Sequence, residues 1–236
     1  MATLLPPSSP PAPFPDPPDW ARRGIAALTE AHPLFGLIEP AAGPLPWRRR
    51  TPGFAGVLRT ITGQMISNAA AAAIWRRVSA LEGALDPAGL LALPEEALRG
   101  AGFSRPKVSH ARALARACIE RRLRFDELPG MSDAEAVAHL AAVPGLGPWT
   151  ASVHLLFAEE RADIFPPGDV ALLASYTDLM GLDARPTPKA LVIASQAWTP
   201  WRALAARLLW HWWRHRTGRA TLEEPDPAPV LSSGAP

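Results

Sequence analysis

The chain has 236 residues, of which 48% are hydrophobic and 19% charged, and its formal net charge at pH 7 is +2. This balance suits one or two globular domains, and no apolar run reaches the roughly 18–20 residues needed to cross a bilayer. A single cysteine, Cys118, excludes an internal disulfide framework and a four-cysteine zinc or iron–sulfur site. Because no secretory signal peptide is visible either, we expect a cytoplasmic protein.

Arginine supplies nearly all of the positive charge, since Lys107 and Lys189 are the only lysines. Planar guanidinium groups suit phosphate binding, whereas a GC-rich genome would produce the same bias without functional meaning. Composition alone therefore leaves the partner open.

Proline-rich stretches lie at both ends of the chain, over 6–18 and 223–236. Proline removes a backbone donor and resists helix and strand. The sequence therefore predicts disordered tails over 1–19 and 220–236 around one folded domain over 20–219.

Helical patterns fill the predicted domain. The apolar residues from Phe54 to Ile61 follow i, i+3, i+4, i+7 spacing, which is typical of one helical face. The alanine-rich stretch 69–80 favours a helix that stops at Gly83, and the apolar spacing over 108–119 predicts another amphipathic helix. A capping box, Ser132 with Glu135, opens a further helix.

Three helix starts are predicted where a cap residue precedes a proline, at Asp86-Pro87, Thr187-Pro188 and Thr199-Pro200. No run of alternating β-branched residues predicts a strand. The predicted fold is all-α, a compact helical domain of two lobes with a cleft between them.

A glycine-rich turn joins two predicted helices at Val143–Trp149. Pro144 ends the first helix, Pro148 starts the second, and Gly145 and Gly147 permit positive φ and leave backbone N–H groups uncovered. Bare N–H groups at a helix N-terminus bind anions, and a nucleic-acid phosphate is a natural occupant. A plain interhelical turn would have the same residues.

A rigid loop follows the second helix of this pair. Phe165-Pro166-Pro167-Gly168 restricts the backbone, and Asp169 ends the loop where the next helix begins. Aspartate is a good helix N-cap, and the same carboxylate would be held stiffly at the mouth of a cleft. The two roles are compatible.

Taken together and in order, these segments resemble the helix–hairpin–helix DNA glycosylases, and most closely their 3-methyladenine DNA glycosylase II branch, which repairs alkylated bases. The resemblance covers most of 54–210. The matching segments are 63–67, 102–107, 144–151, 165–166, 168–172, 198–202 and 209–210.

The resemblance implies that Asp169 is the catalytic carboxylate. A fixed carboxylate stabilises the oxocarbenium-like sugar that forms as an N-glycosidic bond breaks. Family members that also cut the strand have a lysine at the position of Trp149, and tryptophan cannot form an imine. The resemblance therefore implies a monofunctional glycosylase that excises alkylated bases and leaves an abasic site.

The other site residues are assigned through the same resemblance. Trp149 and Trp210 match positions in the base pocket, where the family's tyrosine is replaced by Val153. Met65 matches the apolar wedge that fills the gap left by the flipped base, with Gln64 beside it in the minor groove. Residues Gly145, Leu146 and Gly147 match the hairpin that binds a DNA phosphate, and the carbonyls of Ala141, Val143 and Leu146 match those that bind a monovalent cation.

No cofactor and no side-chain metal site is expected. His211 and His215 have the i, i+4 spacing of metal ligands, but no acidic third ligand lies beside them. The implied partner is duplex DNA with a damaged base, bound by a monomer that does not engage a membrane. The alternatives are a glycosylase for uracil or deaminated bases and a non-catalytic DNA-binding protein. A binding module, however, has no reason to keep a carboxylate such as Asp169 near phosphates.

Overall fold

The computed structural model describes residues 14–219, and every regular element in this range is helical. The predicted all-α class is therefore confirmed. The tail predictions over 1–13 and 220–236 fall outside the described residues. The first helix begins at Asp19, next to the predicted domain boundary.

Twelve α-helices follow one another within 14–219: α1 (Asp19–Ala31), α2 (Ile38–Ala42), α3 (Gly53–Gly63), α4 (Asn68–Ser79), α5 (Pro87–Ala92), α6 (Glu95–Gly100), α7 (Arg105–Ile119), α8 (Asp133–Ala141), α9 (Pro148–Phe157), α10 (Val170–Leu179), α11 (Pro188–Ala194) and α12 (Arg202–Thr217). Short 3₁₀ segments lie at Pro33–Leu37, Phe125–Gly130 and Ser195–Trp198.

The predicted capping box and two of the three predicted cap-then-proline starts are confirmed. The Ser132 hydroxyl and the Glu135 carboxylate form the capping box at the start of α8. Asp86 caps α5 and Thr187 caps α11, each accepting a backbone N–H from the first turn. These bonds satisfy donors that have no partner inside the helix.

The predicted start at Thr199-Pro200 is wrong, because α12 begins at Arg202. Its first turn is capped from a distant segment instead. The Asp163 carboxylate accepts the Arg202 backbone N–H at 3.3 Å, and the Ala162 carbonyl accepts the Ala203 N–H at 3.0 Å. A cap supplied by another part of the chain leaves no local sequence signal.

The helices pack in two groups. Near the chain ends, α12 packs against α1, α2 and α10, whereas in the middle α3 packs against α4, α7 and α9, and α7 also contacts α5 and α6. Helix α9 pairs with α8, and every residue of α9 from Thr150 to Phe157 is buried. The connection from α9 to α10 therefore carries the chain from the central group to the terminal one.

Within residues 14–219 no helix has both the length and the apolar character required to span a bilayer.

Candidate functional site

Asp169 lies at the end of the connection between α9 and α10. Gly168 takes a φ of +73°, in the left-handed region that glycine adopts without strain, and so turns the chain into the helix. Asp169 is the N-cap of α10, and its Oδ1 accepts the Leu172 backbone N–H at 2.9 Å. The predicted capping role is confirmed, and it fixes the direction of the carboxylate.

Two tryptophans donate hydrogen bonds to the same carboxylate. Trp149 Nε1, from the first turn of α9, donates to Asp169 Oδ2 at 2.9 Å, and Trp210 Nε1, from α12, donates to Oδ1 at 3.2 Å. Trp149 is half-buried, and Trp210 is 8% exposed. The structure thus brings together three predicted site residues from three separate elements.

Asp169 accepts three N–H groups and has no cation among its hydrogen-bond partners within 14–219. A carboxylate held only by neutral donors keeps its negative charge available to a neighbouring group. The arrangement can therefore stabilise positive charge that develops beside it.

An arginine cluster that sequence reasoning missed lies behind Trp210. The Phe157 ring stacks on Trp210, with a centroid separation of 5.5 Å. The guanidinium groups of Arg48, Arg50 and Arg207 lie 5.6, 5.3 and 4.5 Å from the Phe157 centroid. These cation–π contacts support the ring that backs Trp210.

Burial lowers the pKa of Arg207 to about 9 and that of Arg50 to about 10. Arg207 donates to the carbonyls of Arg48 and Leu156 at 2.8 and 2.9 Å and so joins the segment before α3 to the end of α9. The run Arg48-Arg49-Arg50 was the available signal, but a charge run is usually a solvated surface.

The hairpin between α8 and α9 matches its prediction only in part. Both glycines were expected to permit positive φ, but only Gly145 uses that freedom, with a φ of +90°. Gly147 has an ordinary φ of −72° and is the N-cap of α9. The Gly145 and Gly147 N–H groups make no hydrogen bond within 14–219. They remain available to an anion.

Leu146 does not offer a free N–H, because its amide donates to the Val143 carbonyl at 3.0 Å and closes the turn. Its side chain is buried. Leu146 therefore does not offer its own amide to a phosphate: the amide is already used inside the hairpin, and the buried side chain anchors the hairpin to the core.

Close packing explains the glycine at 145. A Cβ placed there would lie 2.1 Å from the His110 ring. No atom of the described residues lies within 4 Å of a Cβ at Gly147, which faces open space in this part of the chain. Glycine is thus required at position 145 both by the close His110 ring and by the positive φ. Neither packing nor the backbone angles require glycine at position 147.

The three carbonyls predicted to hold a monovalent cation have lone pairs to spare. Those of Ala141 and Leu146 accept no hydrogen bond within 14–219, and that of Val143 accepts one. Such main-chain oxygens are the donors that hard cations prefer. The hairpin therefore fits the group that the resemblance implies.

The Gln64–Met65 turn follows α3 and contacts the hairpin. Gln64 Nε2 donates to the Gly145 carbonyl at 3.1 Å and to Thr150 Oγ1 at 2.9 Å. Met65 takes a φ of +58°, and its side chain is fully exposed. An exposed methionine does not continue the buried face of Ile61, and its position suits a wedge.

Four further residues named in the sequence analysis make no hydrogen bond to Asp169 within 14–219: His211, His215, Cys118 and Val153. His211 is buried, and its Nε2 is 2.9 Å from the Gly43 carbonyl, while His215 is exposed. Cys118 is half-buried, and burial raises its thiol pKa to about 11. Val153, at the position that the resemblance matches to a pocket tyrosine, is buried in α9.

Comparisons with known proteins agree on the relatives of this chain. It is 28% identical over 162 residues to DNA-3-methyladenine glycosylase 1 of Schizosaccharomyces pombe, and the aligned region covers 65% of this chain and 69% of that protein. It is 29% identical over 193 residues to DNA-3-methyladenine glycosylase 2 of Escherichia coli, and the aligned region covers 74% of this chain and 65% of that protein. The chain therefore spans about two thirds of the length of these two relatives.

The fold also matches a solved structure of an S. pombe 3-methyladenine DNA glycosylase in complex with abasic DNA. The TM-score is 0.73 at 23% identity, over 81% of this chain and 95% of that one. The model of the HhH-GPD superfamily of base excision DNA repair proteins matches residues 58–202. Because this match spans more than half of the sequence and contains the hairpin and Asp169, the chain belongs to the HhH-GPD superfamily of base excision DNA repair proteins.

Proposed function

We propose that the protein is a DNA glycosylase that flips an alkylated base of the 3-methyladenine type out of duplex DNA and hydrolyses its N-glycosidic bond. The observation that carries this proposal is the Asp169 carboxylate, held by the N–H groups of Trp149 and Trp210 at the start of α10. Both relatives named above are DNA-3-methyladenine glycosylases, which supports the same chemistry.

The proposed chemistry needs only one carboxylate. As the bond to the base breaks, positive charge develops on the sugar, and the fixed Asp169 anion stabilises it. An alkylated base that is already cationic is a good leaving group and needs little protonation, unlike the leaving groups of glycosidases with paired acids. Asp169 also serves to orient the attacking water.

Duplex DNA is the proposed partner. Extruding a base requires contacts that hold the backbone and fill the gap. The free N–H groups of Gly145 and Gly147 suit a phosphate, and the exposed Met65 suits the gap. Trp149 and Trp210 offer rings on which a cationic base gains stacking and cation–π attraction.

A monovalent cation at the carbonyls of Ala141, Val143 and Leu146 would add positive charge to the hairpin where the phosphate binds. The chain's own hairpin residues bind and orient the DNA in either case.

We further propose that the enzyme has no strand-cleaving activity. Strand cleavage through an imine requires an amine at the sugar, and Trp149 occupies the position where the family's bifunctional members have lysine. The product would be an intact strand with an abasic site.

The test is base release from duplexes that each carry one lesion: 3-methyladenine, 7-methylguanine, uracil or hypoxanthine. Release of the alkylated bases alone is the expected result. Release of uracil or hypoxanthine alone would favour the alternative substrate class, in line with Val153 at the tyrosine position. DNA binding without release of any base would identify a non-catalytic binding protein.

A further inference from the structure

We propose that Lys107 is a positioning residue, which acts through the Thr62 carbonyl to hold the Gln64–Met65 turn in the conformation that enters DNA. This inference rests on the proposed function, because it assigns Lys107 to the step in which a base is extruded. Lys107 touches neither the base nor the sugar in this role.

The Lys107 ammonium is buried and directed at the end of another helix. Lys107 lies in the first turn of α7 and is 8% exposed, and its Nζ donates to the Thr62 carbonyl at 2.7 Å. Burial lowers the pKa of Lys107. Lysine is almost never buried without a partner that compensates the lost hydration, and Thr62 is the one hydrogen-bond partner of this ammonium within 14–219.

Thr62 lies one residue before the end of α3, where carbonyls lack partners inside the helix. A cation at this end also interacts favourably with the helix dipole. The lysine therefore ties the last turn of α3 to α7, immediately before the chain leaves the helix at Gln64.

The turn that follows is strained. Met65 has a φ of +58°, in the left-handed region that residues other than glycine adopt only under strain. A strained backbone persists only when its surroundings hold it. The Met65 side chain is fully exposed and contributes no packing, so the turn must be held through its neighbours.

Two contacts supply that hold. Lys107 fixes the backbone before the turn, and the Gln64 side chain ties the turn itself to the Gly145 carbonyl and Thr150 Oγ1. Removing the Lys107 contact should release the end of α3 and with it the direction of Met65.

The decisive comparison is between Lys107→Met, which keeps the length but removes the donors, and Lys189→Met. Lys189 is the only other lysine and is exposed, so its variant controls for the loss of charge. Met65→Ala and the double variant Lys107→Met/Met65→Ala complete a thermodynamic cycle. Thermal denaturation of each variant reports folding.

The substrates are two duplexes with a lesion that the wild-type enzyme releases, either correctly paired or opposite a non-pairing base. Because extrusion costs least for a mispaired base, Lys107→Met should slow single-turnover release at least about tenfold from the paired duplex but less than about threefold from the mispaired one. The double variant should be no slower than Met65→Ala. Equal losses on both duplexes, additive losses in the cycle or an unchanged rate on the paired duplex would overturn the proposal.

A binding measurement separates this inference from the proposed function. A 2-aminopurine placed opposite a stable abasic-site analogue brightens when a wedge disturbs the stack. Wild type and Lys189→Met should brighten it and Lys107→Met should not, whether or not any base is released. If wild type brightens the probe but releases no base, the proposed function fails alone; if Lys107→Met brightens it fully, the inference fails. If Lys107→Met does not fold, Lys107→Gln takes its place in the same measurement: failure to brighten the probe supports the inference, and full brightening overturns it.

Discussion

At the residue scale, the two oxygens of Asp169 have different surroundings. Among residues 14–219, Oδ1 accepts the Leu172 backbone N–H and the Trp210 indole N–H, while Oδ2 accepts only the Trp149 indole N–H. Oδ1 therefore anchors the group to α10, and Oδ2 is the oxygen with more lone-pair capacity left. Structural and proposed catalytic roles thus coexist in one side chain.

Asp169→Asn should abolish base release while the fold and DNA affinity are largely kept. An amide can still cap α10 through its oxygen but has no charge to stabilise the sugar cation. Loss of a negative charge near phosphates should leave binding equal or tighter. The measurement is single-turnover base release together with DNA affinity and thermal stability.

Asp178→Asn is the matched control, because the exposed Asp178 also accepts a tryptophan N–H, from Trp212 at 2.7 Å. It should retain base release. If Asp169→Asn kept its rate within about tenfold, or about 1.4 kcal/mol of barrier, Asp169 would not be the catalytic group.

The stability of the protein should decrease as the pH falls below about 6.5, partly through His211. Burial is the main cause that lowers the pKa of His211 below its ordinary 6.5, with Arg214 and His215 acting in the same direction and Gly43 and Glu39 opposing it. The unfolded chain therefore binds a proton at a higher pH than the folded one, so acid favours unfolding.

Urea unfolding at pH 7.5, 6.5 and 5.5 measures this effect. His211→Gln, which can still donate to the Gly43 carbonyl but cannot titrate, should show a smaller loss of stability between pH 7.5 and 5.5. His215→Gln, on the exposed neighbour, should behave as wild type. An unchanged pH dependence in His211→Gln would remove His211 from the explanation.

At the element scale, the two glycines of the hairpin between α8 and α9 are in different environments. Gly145 is enclosed by His110 and has positive φ, so a side chain there would distort the hairpin as well as block it. Gly147 has ordinary backbone angles and open space around it. Gly147 is therefore the position where phosphate binding can be tested without disturbing the fold.

Gly147→Val should weaken DNA binding at least about tenfold, equivalent to about 1.4 kcal/mol, because the side chain would occupy the space beside the free N–H groups. The change from glycine to valine at an N-cap should cost no more than about 1 kcal/mol of stability. Fluorescence anisotropy at moderate salt measures the affinity.

Gly100→Val controls for the same substitution, since a Cβ at Gly100, outside the hairpin, also meets no atom of residues 14–219 within 4 Å. Its affinity should match that of wild type. Equal affinities for wild type and Gly147→Val would show that the hairpin is only a turn between helices.

At the scale of the whole molecule, the scarcity of lysine limits the available reactions. The chain has two lysines, and the ammonium of one, Lys107, is buried against the Thr62 carbonyl. Lys189 lies on the exposed surface of α11. Arginine stays protonated and cannot replace them as a nucleophile.

Borohydride should therefore fail to trap the protein on lesion-containing DNA, because trapping requires an imine between an amine and the sugar. The product strand should stay intact until alkali is added, as gel electrophoresis with and without alkali would show. A bifunctional glycosylase provides the positive control. A covalent adduct that disappears in a Lys107→Met or Lys189→Met variant would contradict the proposal that the enzyme does not cleave the strand.

The sequence by itself determined most of the helices and led to Asp169 as the proposed catalytic residue. Caps such as Ser132 and Asp86 act within one turn, and apolar spacing repeats every three or four residues, so both leave local signals. The Gly/Pro-rich hairpin and the rigid loop before Asp169 are also recognisable in the sequence, because each is formed by a short run of adjacent residues. Their order along the chain was sufficient for the resemblance to the glycosylase family.

Only the tertiary structure decided which groups meet. Trp149 and Trp210 converge on Asp169 from 20 and 41 residues away, Lys107 reaches Thr62 across 45, and Asp163 caps α12 across 39. Such partners are brought within hydrogen-bond distance by the packing of whole helices, and no periodicity or short motif encodes which side chain will face which. For the same physical reason, the arginine cluster around Phe157 could not be predicted from the sequence.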